Sequence, residues 1–202
     1  MKVLITGAHG KVGRAATQAM IEAGHEVFTT DLTRPGFERK PEGTPKYMMA
    51  DLTDAGEAYS VVRGVDAVVH VAAIPEPTGH PPHVVFQTNL MATFNVLEAA
   101  IRFGVKRFVY ISSETVPGFF FPERDFLPDY APVDEEHPSR PQDPYAPSHH
   151  FGEQRLGPAL ARSDIRCISI RPSWVQFEGN YETNLGPQVR DASVLSPNLW
   201  SY

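Results

Sequence analysis

A short β-branched, apolar run, Val3-Leu4-Ile5-Thr6, leads directly into Gly7, Gly10 and Gly13, three glycines at G-x-x-G-x-x-G spacing. Strand, glycines and helix in that order constrain the chain more than any other feature, because a turn of this kind can hold a dinucleotide pyrophosphate. Gly7 is expected to make the tight exit from the strand, Gly10 to let backbone approach the phosphates, and Gly13 to bring the helix close to the sheet. His9, Lys11 and Val12 lie within the same turn, and the phosphates would sit at the positive end of the helix that begins near Lys11. A second run, Glu26 to Thr30, ends at Asp31, 18 residues after Gly13, where a carboxylate can accept both hydroxyls of an adenosine ribose. A 2′-phosphate would be repelled there, so Asp31 argues for NAD over NADP, while Arg34 nearby leaves room for NADP. The plain alternative is a glycine-rich turn and a capping aspartate.

With 202 residues, 42% hydrophobic and 21% charged, the chain is expected to form one domain with a full core. The balance of 18 basic against 24 acidic residues, without a basic run, argues against a nucleic-acid or anionic-membrane surface and for small-molecule partners. Cys167 is the only cysteine, which excludes an internal disulfide, and its strand-like setting reads as a buried packing thiol. No stretch reads as a transmembrane helix or a signal segment, so a soluble, cytoplasmic protein is expected.

Short apolar runs alternate with helical-period segments, the pattern of β-α-β units that build a doubly wound parallel sheet, a three-layer α/β Rossmann-type fold. Strands are expected at Lys2 to Thr6, Glu26 to Thr30, Lys46 to Met49, Ala67 to Ala72, Arg107 to Ser112 and Arg166 to Ile170. Helices are expected at Val12 to Ala23, Ala55 to Arg63, Pro82 to Phe103 and Tyr145 to Arg162. The stretch from Pro117 to Pro147 holds eight of the 19 prolines and reads as a long irregular loop, a lid or substrate wall.

Further along stand Asp51-Leu52, His70-Val71-Ala72-Ala73, the run from Asn89 to Ala100, Phe108-Val109-Tyr110-Ile111-Ser112-Ser113, and Pro144-Tyr145-Ala146-Pro147-Ser148 before Gly152-Glu153. This succession resembles the extended short-chain dehydrogenase/reductase family, the NAD-dependent epimerases and dehydratases, over almost the whole chain. The resemblance implies that Asp51 and Leu52 hold the adenine, that Val71, Ala72 and Ala73 line the cofactor, and that Asn89 braces the sheet end near the nicotinamide. It also implies a catalytic hydroxyl and a Tyr-x-x-x-Lys pair, with Ser113 and Tyr145 in the first two roles, although Thr115 competes with Ser113. Each has a plain alternative as a strand-end cap or an amphipathic helix-start residue. Asp143-Pro144 reads as a cap and first-turn proline that set the phenol on the opening turn of a helix.

The residue four after the tyrosine is a lysine in that family and is His149 here. A tyrosine that acts as base near pH 7 must come down about three units from ~10, or about 4 kcal/mol. A helix start supplies about 0.3–1 kcal/mol of that, and a histidine with an ordinary pKa of ~6.5 adds little permanent charge. His149 can still hydrogen-bond the ribose of the cofactor, so binding can survive where turnover suffers. His149, His150 and Glu153 could be read as a metal site, but no third helical-face ligand is suggested and none is expected.

After Arg171-Pro172-Ser173 the family continues into another strand and a substrate lobe, which the resemblance implies is largely absent before Tyr202, leaving an exposed flank that bears aromatic residues. The resemblance also implies a homodimer through the helices near 82–103 and 145–162. Two functions follow. The first is an NAD-dependent dehydrogenase, epimerase or dehydratase acting on a nucleotide sugar or uronate, with Arg124, Arg140 and Arg171 available to an anionic substrate. The second is a catalytically impaired NAD-binding sensor or subunit.

Overall fold

The computed structural model describes residues 1–33, 44–177, 179–184 and 186–190. Arg34 and the terminal run Asn198 to Tyr202 lie outside the described residues, and with them the NADP argument and the aromatic chain end. In chain order the elements are β1 (Lys2–Thr6), α1 (Lys11–Glu22), β2 (Glu26–Asp31), β3 (Lys46–Met49), α2 (Ala55–Val62), β4 (Ala67–His70), α3 (Pro82–Arg102), β5 (Arg107–Ile111), α4 (Tyr145–Arg162) and β6 (Arg166–Ile170). Two short helices, α5 (Tyr181–Asn184) and α6 (Gly186–Arg190), follow.

All strand pairs are parallel, in the order β3-β2-β1-β4-β5-β6. The order reverses between β1 and β4, and there the carboxyl ends of the strands open a crevice in a doubly wound sheet. One core, around Leu4, Val62, Val68, Val96, Leu97 and Phe108, joins the sheet to α2, α3 and α4; a smaller one, around Val3, Ile5 and Val27, seats α1 on the other face. The central strands β1, β4 and β5 are short apolar runs because both of their faces are covered, whereas β3 and β6 at the edges leave Met48, Met49, Ile168 and Ile170 exposed.

β4 stops at His70, two residues before the expected Ala72. The amide N–H groups of Val71 and Ala72 turn instead to the Thr6 hydroxyl at 3.0 and 3.1 Å, which ends the ladder and bends the chain over the end of β1. The irregular segment ends at Pro144, not Pro147, because the Asp143 carboxylate accepts from the N–H groups of Tyr145 and Ala146 at 2.7 and 2.9 Å and starts α4. Asp143 thus does the capping while Pro144 stands just before the first helical residue.

Two other expectations need correction. α3 is long and apolar enough to cross a membrane by length and composition, with half of that apolar window buried inside the protein against α2 and α4. Its apolar residues escape notice in the sequence because polar Asn89, Thr93 and Asn95 interrupt them, yet all three are buried. Cys167 is half-buried rather than buried, because β6 is the sheet edge and has only β5 beside it.

Candidate active site

The glycine turn meets its geometric demands at Gly7 and Gly13. Gly7 has φ +61°, and a Cβ there would lie 2.8 Å from the backbone of Ala72. A Cβ on Gly13 would fall 2.1 Å from the Gly7 carbonyl oxygen, so α1 reaches the turn only because that atom is missing. Gly10 is the residue before α1; it offers no side-chain cap, and the first turn through Lys11, Val12 and Gly13 carries no acid. That leaves an uncovered helix N-terminus, where amide N–H groups and the helix dipole favour an anion.

Asp31 closes β2 beside this turn. Its carboxylate accepts from the His9 N–H at 2.9 Å and the Leu32 N–H at 2.8 Å, which fixes its plane. The His9 ring stacks on Tyr47 with centroids 5.1 Å apart and bonds Thr33 through Nδ1 at 2.9 Å. Asp51 follows β3, and the Ala50 N–H bonds the Asp31 carbonyl at 3.1 Å, so the exits of β2 and β3 are adjacent. The Asp51 carboxylate is turned onto Thr53, whose N–H and hydroxyl it receives at 2.9 and 2.7 Å, and Leu52 is buried. Asn95, which the sequence did not mark, ties this loop to α3 by donating to the carbonyls of Leu52 and Thr53. Together the uncovered turn and the fixed Asp31 carboxylate fit the pyrophosphate and adenosine ribose of a dinucleotide.

From the turn a buried polar chain runs to α4. Thr6 Oγ1 already accepts from two amides, so its own proton goes to His70 Nδ1 at 2.9 Å. His70 Nε2–H then donates to Thr93 Oγ1 at 3.2 Å, and Thr93 donates to the Asn89 carbonyl. Burial, with His149 nearby, holds His70 down at about 3, so it stays neutral in this chain. The Asn89 side chain bonds the Ile74 amide and carbonyl at 2.7 and 3.1 Å and donates to Ser148 at 3.3 Å. It thereby joins the stretch after Val71, Ala72 and Ala73 to α4.

Ser113, Tyr145 and His149 come together at the β5 exit. Ser113 Oγ accepts from both the N–H and the hydroxyl of Thr115, at 3.1 and 3.0 Å, which leaves its own proton to donate; its side chain hydrogen-bonds the Tyr145 phenol. Thr115 therefore orients the hydroxyl that stands at the tyrosine. The rings of Tyr145 and His149 meet edge to face, 4.5 Å between centroids.

Residues 3–190 match the NAD dependent epimerase/dehydratase family. The chain belongs to this family. It is 28% identical to the uronate dehydrogenase of Pseudomonas syringae pv. tomato over 84% of this chain and 58% of that protein. It is 30% identical to the UDP-glucose 4-epimerase of Streptomyces lividans over 84% of this chain and 50% of that protein. The structure of an NAD-bound short-chain dehydrogenase/reductase superfamily protein from Agrobacterium tumefaciens superposes with a TM-score of 0.71 at 29% identity, over 85% of this chain and 48% of the other. The chain spans about half the length of the relatives it matches.

Within this epimerase/dehydratase family site the electrostatics are unusual. Burial pushes the Tyr145 phenol above its ordinary value; the Ser113 hydrogen bond opposes this, and the nearby Asp143 and Glu114 carboxylates add to it. Burial also lowers His149 to about 4, so a neutral imidazole, not a cation, faces the phenol at pH 7. Glu153 is held by Arg171 at 2.7 and 2.8 Å, and among the described residues no group of three could hold a metal ion. His70 and Asn95 are marked in the sequence only as polar residues inside apolar segments, and the Glu153–Arg171 pair has no local pattern.

Proposed function

We propose that this chain binds NAD across the crevice and carries out the oxidoreduction of a sugar-like hydroxyl compound, with a uronate or a nucleotide sugar as the substrate class. The observation that carries this is the meeting of the Ser113 hydroxyl, which donates its proton to the Tyr145 phenol, with that phenol at the end of β5, across β4 from the glycine turn. The named uronate dehydrogenase and UDP-glucose 4-epimerase support the substrate class. Gly7, Gly10, Gly13 and the α1 N-terminus would hold the pyrophosphate, Asp31 the adenosine ribose, and Asp51 and Leu52 the adenine side. Val71, Ala72 and Ala73 would line the cofactor, and Asn89 would brace the sheet end near the nicotinamide. Bound NAD supplies a hydride acceptor. Ser113 donates a hydrogen bond to the substrate oxygen, and Tyr145 takes the hydroxyl proton as the carbonyl forms. The segment from Pro117 to Pro144 forms a wall of the substrate side. It is braced by Phe119 against Phe126 and His137, and by Arg140 bonded twice to Asp129 at 2.6 Å. The reading takes small molecules as ligands in the cytoplasm, without nucleic acid or membrane.

A second reading, a cofactor-binding module with little turnover of its own, draws on one observation: among the described residues no cation lowers the Tyr145 phenol, because His149 is neutral. Incubation with NAD and a panel of uronates and nucleotide sugars separates the two. Formation of reduced cofactor or of an epimer, abolished by Tyr145→Phe, is expected. NAD binding with no turnover of any of the compounds would favour the module instead.

A further inference from the structure

Tyr110 is fully buried on β5, outside the group that faces Tyr145, and its hydroxyl lies 3.0 Å from His149 Nδ1. Space for that hydroxyl is made by Gly152 on α4, where a Cβ would fall 2.3 Å from the Tyr110 oxygen. The other ring nitrogen of His149, Nε2, is buried and has no partner among the described residues, although the residue is only 3% exposed. A buried imidazole nitrogen left unpaired is unfavourable, so a built position of this kind calls for a ligand group.

The direction of the Tyr110–His149 bond decides what Nε2 offers. A phenol buried this deeply is held above its ordinary pKa by burial and keeps its proton. The Thr93 hydroxyl is also within hydrogen-bond reach of the phenol, but it already receives His70 Nε2–H, and a neutral imidazole nitrogen is a far better acceptor than a hydroxyl that is already accepting one bond. Tyr110 therefore donates to Nδ1, and the single ring proton sits on Nε2.

We propose that Tyr110 is a positioning residue: by donating to His149 Nδ1 it makes His149 a neutral Nε2–H donor aimed at a hydroxyl oxygen of the dinucleotide, rather than a charged partner of Tyr145. This rests on the reading that the crevice takes NAD. It gives Tyr110, His149 and Gly152 one joint role: Gly152 makes room, Tyr110 sets the tautomer, and His149 presents the donor.

The test is nitrogen-15 NMR of the histidine rings in the full chain at pH 7, with and without NAD, alongside NAD calorimetry. Wild type is expected to show His149 as the neutral Nε2–H tautomer, with the Nε2 resonance moving when NAD is added. Tyr110→Phe, which keeps the ring and removes the donor, is expected to mix the tautomers and weaken NAD binding about 5- to 10-fold with its circular dichroism unchanged. A His149 that is charged at pH 7, or that carries its proton on Nδ1 in wild type, overturns the proposal without recourse to any variant. The Nε2–H tautomer in a protein that fails to bind NAD overturns the donor's target and the NAD reading together, while leaving the part of Tyr110 in setting the tautomer supported. An unchanged tautomer in Tyr110→Phe contradicts that part alone.

Discussion

A histidine at position 149 separates two tasks that a lysine would do at once, holding the cofactor and charging the neighbourhood of Tyr145. The structure keeps the first within reach, through the buried Nε2, and removes the second, because burial holds His149 near 4. His149→Lys is therefore expected to raise turnover at pH 7 about 5- to 30-fold if the added charge supplies about 1–2 kcal/mol in the reacting complex. The pH optimum should fall as well, since a phenol that burial holds high would titrate lower beside a cation. Steady-state kinetics over a pH series checks this, and a variant with an unchanged rate and an unchanged pH profile would refute Tyr145 as the limiting base. At this scale the sequence was legible where chemistry follows from spacing. Tyr145 and His149 are four apart on one helix, and Ser113 closes an apolar strand. It was silent where the partner is distant. His70 meets Thr6 across 64 residues and Tyr110 meets His149 across 39, and neither contact has a local pattern.

Elements were read with few errors because the central strands β1, β4 and β5 are short apolar runs, and a strand covered on both faces needs nothing else. The errors fall where a side chain overrides the backbone pattern. Thr6 captures the amides that would have extended β4, whereas the start of α4 at Tyr145 was legible because Asp143 is its cap. Glycines show the same contrast between local rule and packing. Gly13→Ala puts a methyl 2.1 Å from the Gly7 carbonyl, and the helix must move off the turn, at a cost of about 1–3 kcal/mol. Gly157 is exposed on α4 with nothing within reach of a Cβ, while Pro158 after it disfavours a Cβ on a helical residue, so the two effects oppose and the same change there is expected to alter stability by less than about 1 kcal/mol. Urea unfolding of both variants measures this pair, and equal effects would show that α1 does not depend on the close approach.

On the whole molecule, α3 and α4 pack against each other and leave Met91, Phe94 and Phe151 exposed at 36%, 36% and 49%. Apolar side chains gathered on one helix pair suit a self-complementary contact, and we propose that a second copy of the chain covers them. Light scattering at micromolar concentration should give twice the mass of the chain; a strictly monomeric mass would contradict this face as an interface. The central claim is the dinucleotide itself, which rests on the turn, the uncovered α1 N-terminus and the fixed Asp31 carboxylate. Calorimetric titration with NAD and NADP tests it most directly. NAD is expected to bind at least about tenfold more tightly, a difference of about 1.4 kcal/mol from charge repulsion at Asp31, and Asp31→Asn should narrow the gap. A chain that binds neither cofactor, or that takes NADP as tightly as NAD, would contradict the account.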